Sequence, residues 1–304
     1  MSNTELITKG EIKKSSFLSL SAKENLRIYW YKFSRNKLSI TGLILVLTSI
    51  FLAIFAPIIT PFPQHVEAFV DFANANTPPN STYLFGTDIF GRDIFTRVIF
   101  SFRGALMTSI IVLGIAVPIG VTLGLVAGYY YNSLVGISIM RLTDIFLALP
   151  KLVLALAVAA VLTPNLTNSM IALIVAWWTW YARMIYGMAV TISKEYFVKS
   201  AELIGASKFH ILFKEILPNC LSPIATKMAL DVGWVILIGA TLSFVGLGAQ
   251  PPEPSFGQLI ADGSRYMPDL WWMTIFPASG IAFIIMGFNF FGDGIRDMLD
   301  RGKQ

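Results

Sequence analysis

Apolar positions in this chain are gathered into long runs, set apart by short polar stretches. Residues 104–140 contain no Asp, Glu, Lys or Arg, and neither do residues 152–182. A helix needs roughly 20 apolar residues to cross about 30 Å of hydrocarbon. The pattern predicts an all-α membrane protein with six transmembrane helices: Leu38–Ile59, Gly104–Gly128, Ile139–Leu162, Ser169–Val190, Leu221–Leu247 and Leu270–Gly292. Pro57, Pro61 and Pro63 end the first span. Residues 60–103 are polar, mixed in charge and rich in Pro and Asn, and residues 248–269 are rich in Pro and Gly. Residues 191–219 are amphipathic and basic. The division follows: a tail 1–37, a first helix with its outer loop 38–103, a five-helix core 104–292 with a loop at 193–219, and a tail 293–304.

Charge orients these spans. Eight Lys/Arg precede the first span, Arg141 follows the second, four lie in residues 191–219 and three close the chain. The opposite side holds only Arg92, Arg97, Arg103 and Arg265. The positive-inside rule places both termini in the cytosol and the 60–103 and 248–269 loops outside. Two sequons, Asn80-Ser81-Thr82 and Asn165-Leu166-Thr167, fall on the outer side as weak support. Tyr29, Trp30 and Tyr31 among Arg27, Lys32 and Arg35 suit an interfacial helix against membrane lipids. The net charge of +5 is accounted for by orientation, not nucleic-acid binding. The first apolar run is too long for a cleavable signal, so none is expected.

Composition narrows the chemistry. The chain is 55% hydrophobic and 13% charged, against about 25% charged in soluble domains. The single Cys220 permits no internal disulfide, and His65 and His210 lack partners at metal-ligand spacing. No nucleophile–base set, metal motif or phosphate-cradling loop is present, so any ATP-driven step is expected in another chain. Gly114, Gly120, Gly124 and Gly128 make a smooth ridge for helix packing that also suits a pathway able to change shape. Lys227 and Asp231 are four residues apart, close enough to pair. With Arg141, Asp144 and Lys151, they are charges within spans that serve either the structure or contact with a solute's termini.

Residues 196–219 read as a short helix, a stop at Gly205, a second helix capped by Ser207, and an end at Leu217-Pro218. Physics alone leaves two readings open, an interfacial linker or a contact surface. This segment resembles the "EAA" coupling loop of permease subunits in binding-protein-dependent ABC importers. Lys199-Ser200-Ala201, Gly205, Ala206 and Leu217-Pro218 stand at that loop's spacing, with Lys and Ser replacing its acidic and first Ala residues. Gly86-Thr87-Asp88 and Gly91-Arg92-Asp93 are similar to the stretch before the second span in the dipeptide/oligopeptide permease family. Ser243-Phe-Val-Gly-Leu-Gly248, Ser255-Phe-Gly257, Trp271-Trp272 and Gly292-Asp-Gly294 resemble that family's later loop and last span, although Phe256 stands where Trp is usual.

The resemblance, over residues 38–300, implies the type I importer permease fold and a C-type subunit in a prokaryotic cell membrane. It implies as partners a B-type permease, two ATPase subunits and an extracytoplasmic solute-binding protein. ATP and Mg would then sit in the ATPase subunits and no cofactor in this chain. Phe209, bulky and just past the glycine bend, is the expected anchor on an ATPase subunit. Di- and oligopeptides are the expected solutes, with oligosaccharides or a nickel chelate as alternatives. An ion-coupled secondary transporter is the rival from another class, but no repeat or mid-depth carboxylate marks one.

Overall fold

The computed structural model describes Arg27 and residues 29–299. The amino-terminal tail before residue 27 and the last residues of the carboxyl-terminal tail, both expected in the cytosol, lie outside the described residues. Regular structure among the described residues is helical, apart from a single bridge between Thr87 and Asp93.

Helix α1, Lys37–Ile59, starts at Asn36, whose side chain accepts from the Leu38 amide. Its small residues Ser39, Gly42, Ser49, Ala53 and Ala56 are buried, while Ile44, Leu47, Ile54 and Ile58 are exposed. That inversion is the membrane pattern: small residues let backbones approach, and large apolar ones meet lipid. The buried face lies on the last helix, where Gly42 abuts the backbone of Phe290 and Phe291.

Helix α2, Ile94–Tyr129, is 36 residues long and begins ten residues earlier than the charge pattern implied. The 60–103 segment is therefore not loop throughout. Asp93 explains the early start, because its carboxylate accepts from both the amide and the hydroxyl of Thr96, at 2.8 and 2.6 Å.

The expected single span Ile139–Leu162 is instead two helices, α3 at Leu134–Leu147 and α4 at Lys151–Val161, bent by 89°. Pro150 has no amide hydrogen and disfavours helical geometry at Leu149, so the helix cannot run through.

Helix α5, Leu166–Ile192, packs along α2. Trp177, Tyr181 and Ile185 are fully buried there. Gly120, Gly124 and Gly128 allow the approach, but Gly114 faces open space.

A short helix α6, Tyr196–Leu203, precedes α7, Lys208–Phe244. The expected helix end at Leu217-Pro218 is absent, since α7 runs through it. A wide π-type turn at Ile211–Ile216 precedes Pro218 and accommodates a residue that cannot donate to the helical ladder.

Helix α8, Phe256–Ser264, lies in the expected outer loop 248–269, and α9, Trp272–Leu299, extends into the expected tail. Helices α1, α2, α7 and α9 are long and apolar enough to cross a membrane, and the bent α3–α4 pair makes a fifth.

Candidate functional site

Three groups of residues carry the expected chemistry. The first is the segment from α6 into α7. Gly205 has φ +82°, and the amides of Gly205 and Ala206 donate to the carbonyls of Glu202 and Ala201, at 3.1 and 3.0 Å. This closes α6 with a left-handed cap that glycine adopts without strain. Ser207 then caps α7 by accepting from the His210 amide at 3.2 Å.

One face of this segment is anchored. Val198, Ala201, Ile211, Leu212 and Ile216 are buried in the main core, and Ala206 packs against it. Tyr129 at the end of α2 donates to Glu202 at 2.6 Å, and Lys208 donates to Tyr129 at 2.7 Å. Lys199 pairs with Glu202 at 3.0 Å. The hydrogen bond from Tyr129, followed by that from Lys199, holds the Glu202 carboxyl below its ordinary range.

The other face is bare apolar surface. Tyr196 is 91% exposed, Leu203 88%, Ile204 85% and Phe209 69%. Phe209 stacks on Phe213 at 4.6 Å between ring centres. Ser200 is exposed too, as is Pro218, with Leu217 half-buried. A bare apolar face of this kind suits either contact with a partner protein or the membrane interface.

The second group is the charges within spans. Lys227 lies 3.1 Å from Asp231, and Tyr181 donates to the same carboxylate at 2.8 Å. Asp144 pairs with Arg183 at 3.3 Å. Lys151 sits over the rings of Trp177 and Trp180, 4.5 and 4.7 Å from their centres. Lys227, Asp231 and Lys151 thus form one neighbourhood, while Arg141 is exposed and makes no ion pair among the described residues. Sequence spacing could reveal the Lys227–Asp231 pair but not the Asp144–Arg183 pair or the indole cage, which join separate helices.

The third group, Gly86-Thr87-Asp88 and Gly91-Arg92-Asp93, is a clamp for the loop 60–93. Gly86 and Gly91 both have positive φ, and a Cβ on Gly91 would collide with the Asp71 carbonyl. Asp88 accepts from the amides of Phe90 and Arg92 at 2.9 Å and from Arg92 Nε at 2.7 Å. Trp272 Nε1 donates to the Thr87 carbonyl at 3.1 Å, tying the loop to α9. His65 is buried between Phe62 and Phe69, and its Nδ1 accepts from the Asp93 amide at 2.9 Å. Burial lowers the His65 pKa and raises that of Asp93. Fully buried Arg97 donates to the carbonyls of His65 and Pro252, joining this loop to the segment before α8. Arg97 stands in the stretch that resembles the family's, but the motif did not reveal that His65 completes the clamp with it.

Among the described residues no cluster of His, Cys, Asp and Glu could hold a metal ion. What the geometry defines is a multi-pass helical membrane component with a hydrogen-bonded loop before α2 and a capped, apolar loop between α5 and α7. The family described as "binding-protein-dependent transport system inner membrane component" matches residues 120–304, and "N-terminal TM domain of oligopeptide transport permease C" matches residues 25–79. The chain belongs to the family of ABC importer permease components, a membrane subunit that leaves ATP hydrolysis to separate subunits. It is 38% identical over 270 residues to a probable D,D-dipeptide transport system permease protein of Escherichia coli, covering 88% of this chain and 89% of the relative. It is 38% identical over 269 residues to a dipeptide transport system permease protein of Alkalihalophilus pseudofirmus, covering 88% and 87%. A glutathione transport system permease protein of Pectobacterium atrosepticum is 34% identical over 280 residues, 92% of each chain.

Proposed function

We propose that this chain is the C-type permease of an importer for di- and oligopeptides, with six spans and both termini in the cytosol. Its partners are a B-type permease, two ATPase subunits that hold ATP and Mg, and an extracytoplasmic solute-binding protein. Helix α5 is the sixth span. Its 27 residues reach about 40 Å, and Trp177 and Tyr181 near its middle are fully buried. The peptide substrate is supported by the names of the relatives, which transport a D,D-dipeptide, dipeptides and glutathione.

The observation that carries the coupling role is the surface of Tyr196, Leu203, Ile204 and Phe209, exposed beside the Gly205 cap while the opposite face is locked to α2 and the core. An ATPase subunit gripping that surface would move α6 and α7 together. ATP binding then supplies the differential interaction energy that shifts the two permeases between inward- and outward-facing states. Lys199, Ser200 and Ala201 take the position of the motif's first residues, with Ala201 turned into the core.

Co-reconstitution tests this reading. ATP-dependent peptide uptake should require all four kinds of subunit, and this chain alone should neither hydrolyse ATP nor transport. Transport by the purified single chain, driven by an ion gradient, would favour a secondary transporter instead.

A further inference from the structure

Lys151 stands out among the charges. It opens α4, which reaches Val161 about 16 Å further on, roughly half the thickness of the hydrocarbon. Trp177 lies about the same distance along α5 from Leu166. The ammonium therefore lies well inside the helical bundle's apolar length, where ionisable groups are costly and face the protein interior or a water-filled path.

The nearby carboxylate, Asp231, is already taken by Lys227 and Tyr181. Lys227 and Arg183 have carboxylate partners, but Lys151 has no hydrogen bond or ion pair among the described residues, only the faces of Trp177 and Trp180. Trp177 is fully buried, and its Nε1 donor has no hydrogen-bond partner either. The indoles stabilise the cation through their negative faces, yet they supply no lone pair to its N–H groups.

The cage is open on one side. Lys151 is half-buried and Trp180 exposed. Lys227 also reaches the Trp180 ring, 6.0 Å from its centre, and lines with Asp231, Thr226, Trp234 and Arg296 a groove of about 590 Å³.

We propose that Lys151 is a way-station for the carboxylate of the transported solute, held on the Trp177–Trp180 cage along the translocation path. A solute carboxylate supplies the acceptors that the Lys151 ammonium itself lacks. The paired Lys227–Asp231 beside it leaves one net positive charge, enough to attract a single carboxylate without trapping it. This inference rests on the peptide-importer reading for the identity of the solute.

The test uses the complete importer with Lys151→Met and Lys151→Arg, given tri-alanine and its carboxyl-terminal amide. Lys151→Met should lower the ratio of acid to amide uptake about tenfold relative to wild type, and Lys151→Arg should restore most of it. An unchanged ratio, whether uptake is normal or falls equally for both peptides, overturns the proposal. Equal loss would assign Lys151 to pairing with the partner permease. If the wild-type complex imports neither peptide, the peptide reading fails, and tryptophan fluorescence decides the inference separately. Titration with tri-alanine, but not its amide, should then change the signal in wild type and not in Lys151→Met. Matching responses in wild type and variant overturn it.

Discussion

Adding one methyl group to Gly124 should separate α2 from α5. A Cβ there would lie 2.6 Å from the Ala182 carbonyl oxygen and 2.9 Å from Ile185 Cβ. Both distances are roughly 1 Å inside ordinary contact. Neither neighbour can turn away, since one is helix backbone and the other is the fixed first carbon of a fully buried side chain. The helices must therefore part, and overpacking of this kind costs about 1–3 kcal/mol. For a protein of this size that lowers the thermal midpoint by roughly 2–5 °C. Gly114 is the internal control, because it is on the same helix and has nothing within 4 Å. Gly114→Ala should leave the midpoint of the detergent-purified protein nearly unchanged, while Gly124→Ala lowers it. Equal midpoints for the two variants would refute the argument that close backbone approach, not glycine content, sets the packing.

Two further outcomes concern the loop before α2 and the orientation of the chain. His65 must be neutral to accept from the Asp93 amide, and burial depresses its pKa below the ordinary 6.5, outweighing Asp93, Asp88 and Asp71 nearby. The unfolded chain then binds the proton more readily, so this contribution is complete above 6.5 and is lost as pH falls below it. Asp93 acts oppositely: its raised pKa favours the protein at pH below 3.8, and that benefit fades as pH rises through the raised value. The thermal midpoint should drop between pH 7.5 and 5.5, and His65→Phe should flatten that slope; an unchanged slope in the variant would rule His65 out as its source. For orientation, exposed Asn80 and Ser264, each replaced by Cys in a Cys220→Ala background, should react with membrane-impermeant thiol reagents in intact cells. Protection of both sites would reverse the topology.

The apolar runs made the membrane helices legible, because a helix that crosses hydrocarbon needs roughly 20 predominantly apolar residues. Element ends were less so. Asp93 as an N-cap lies in a polar stretch that reads as loop, and only its contact with Thr96 reveals the helix. Pro150 was visible, but its effect depended on whether neighbouring helices would straighten or exploit the break. Pro218 was read as a terminus, since a one-dimensional reading cannot foresee the wide turn that carries α7 past it. The Gly205 cap was legible because it is local. The indole cage around Lys151 and the link from Tyr129 to Glu202 join residues far apart in the chain, so no spacing rule could find them.

The most direct test of the account lies at Gly205 and Phe209. Gly205 has open space around it, so Gly205→Val acts only through its positive φ. Phe209→Ala trims an exposed side chain in the first turn of α7, and truncating an interface anchor costs about 2–4 kcal/mol of binding. Peptide-stimulated ATP hydrolysis and peptide uptake should be measured side by side in reconstituted wild-type and variant importers. The account predicts that both variants still assemble with the B-type permease but lose uptake per ATP hydrolysed. Uptake per ATP equal to wild type in both variants would contradict it.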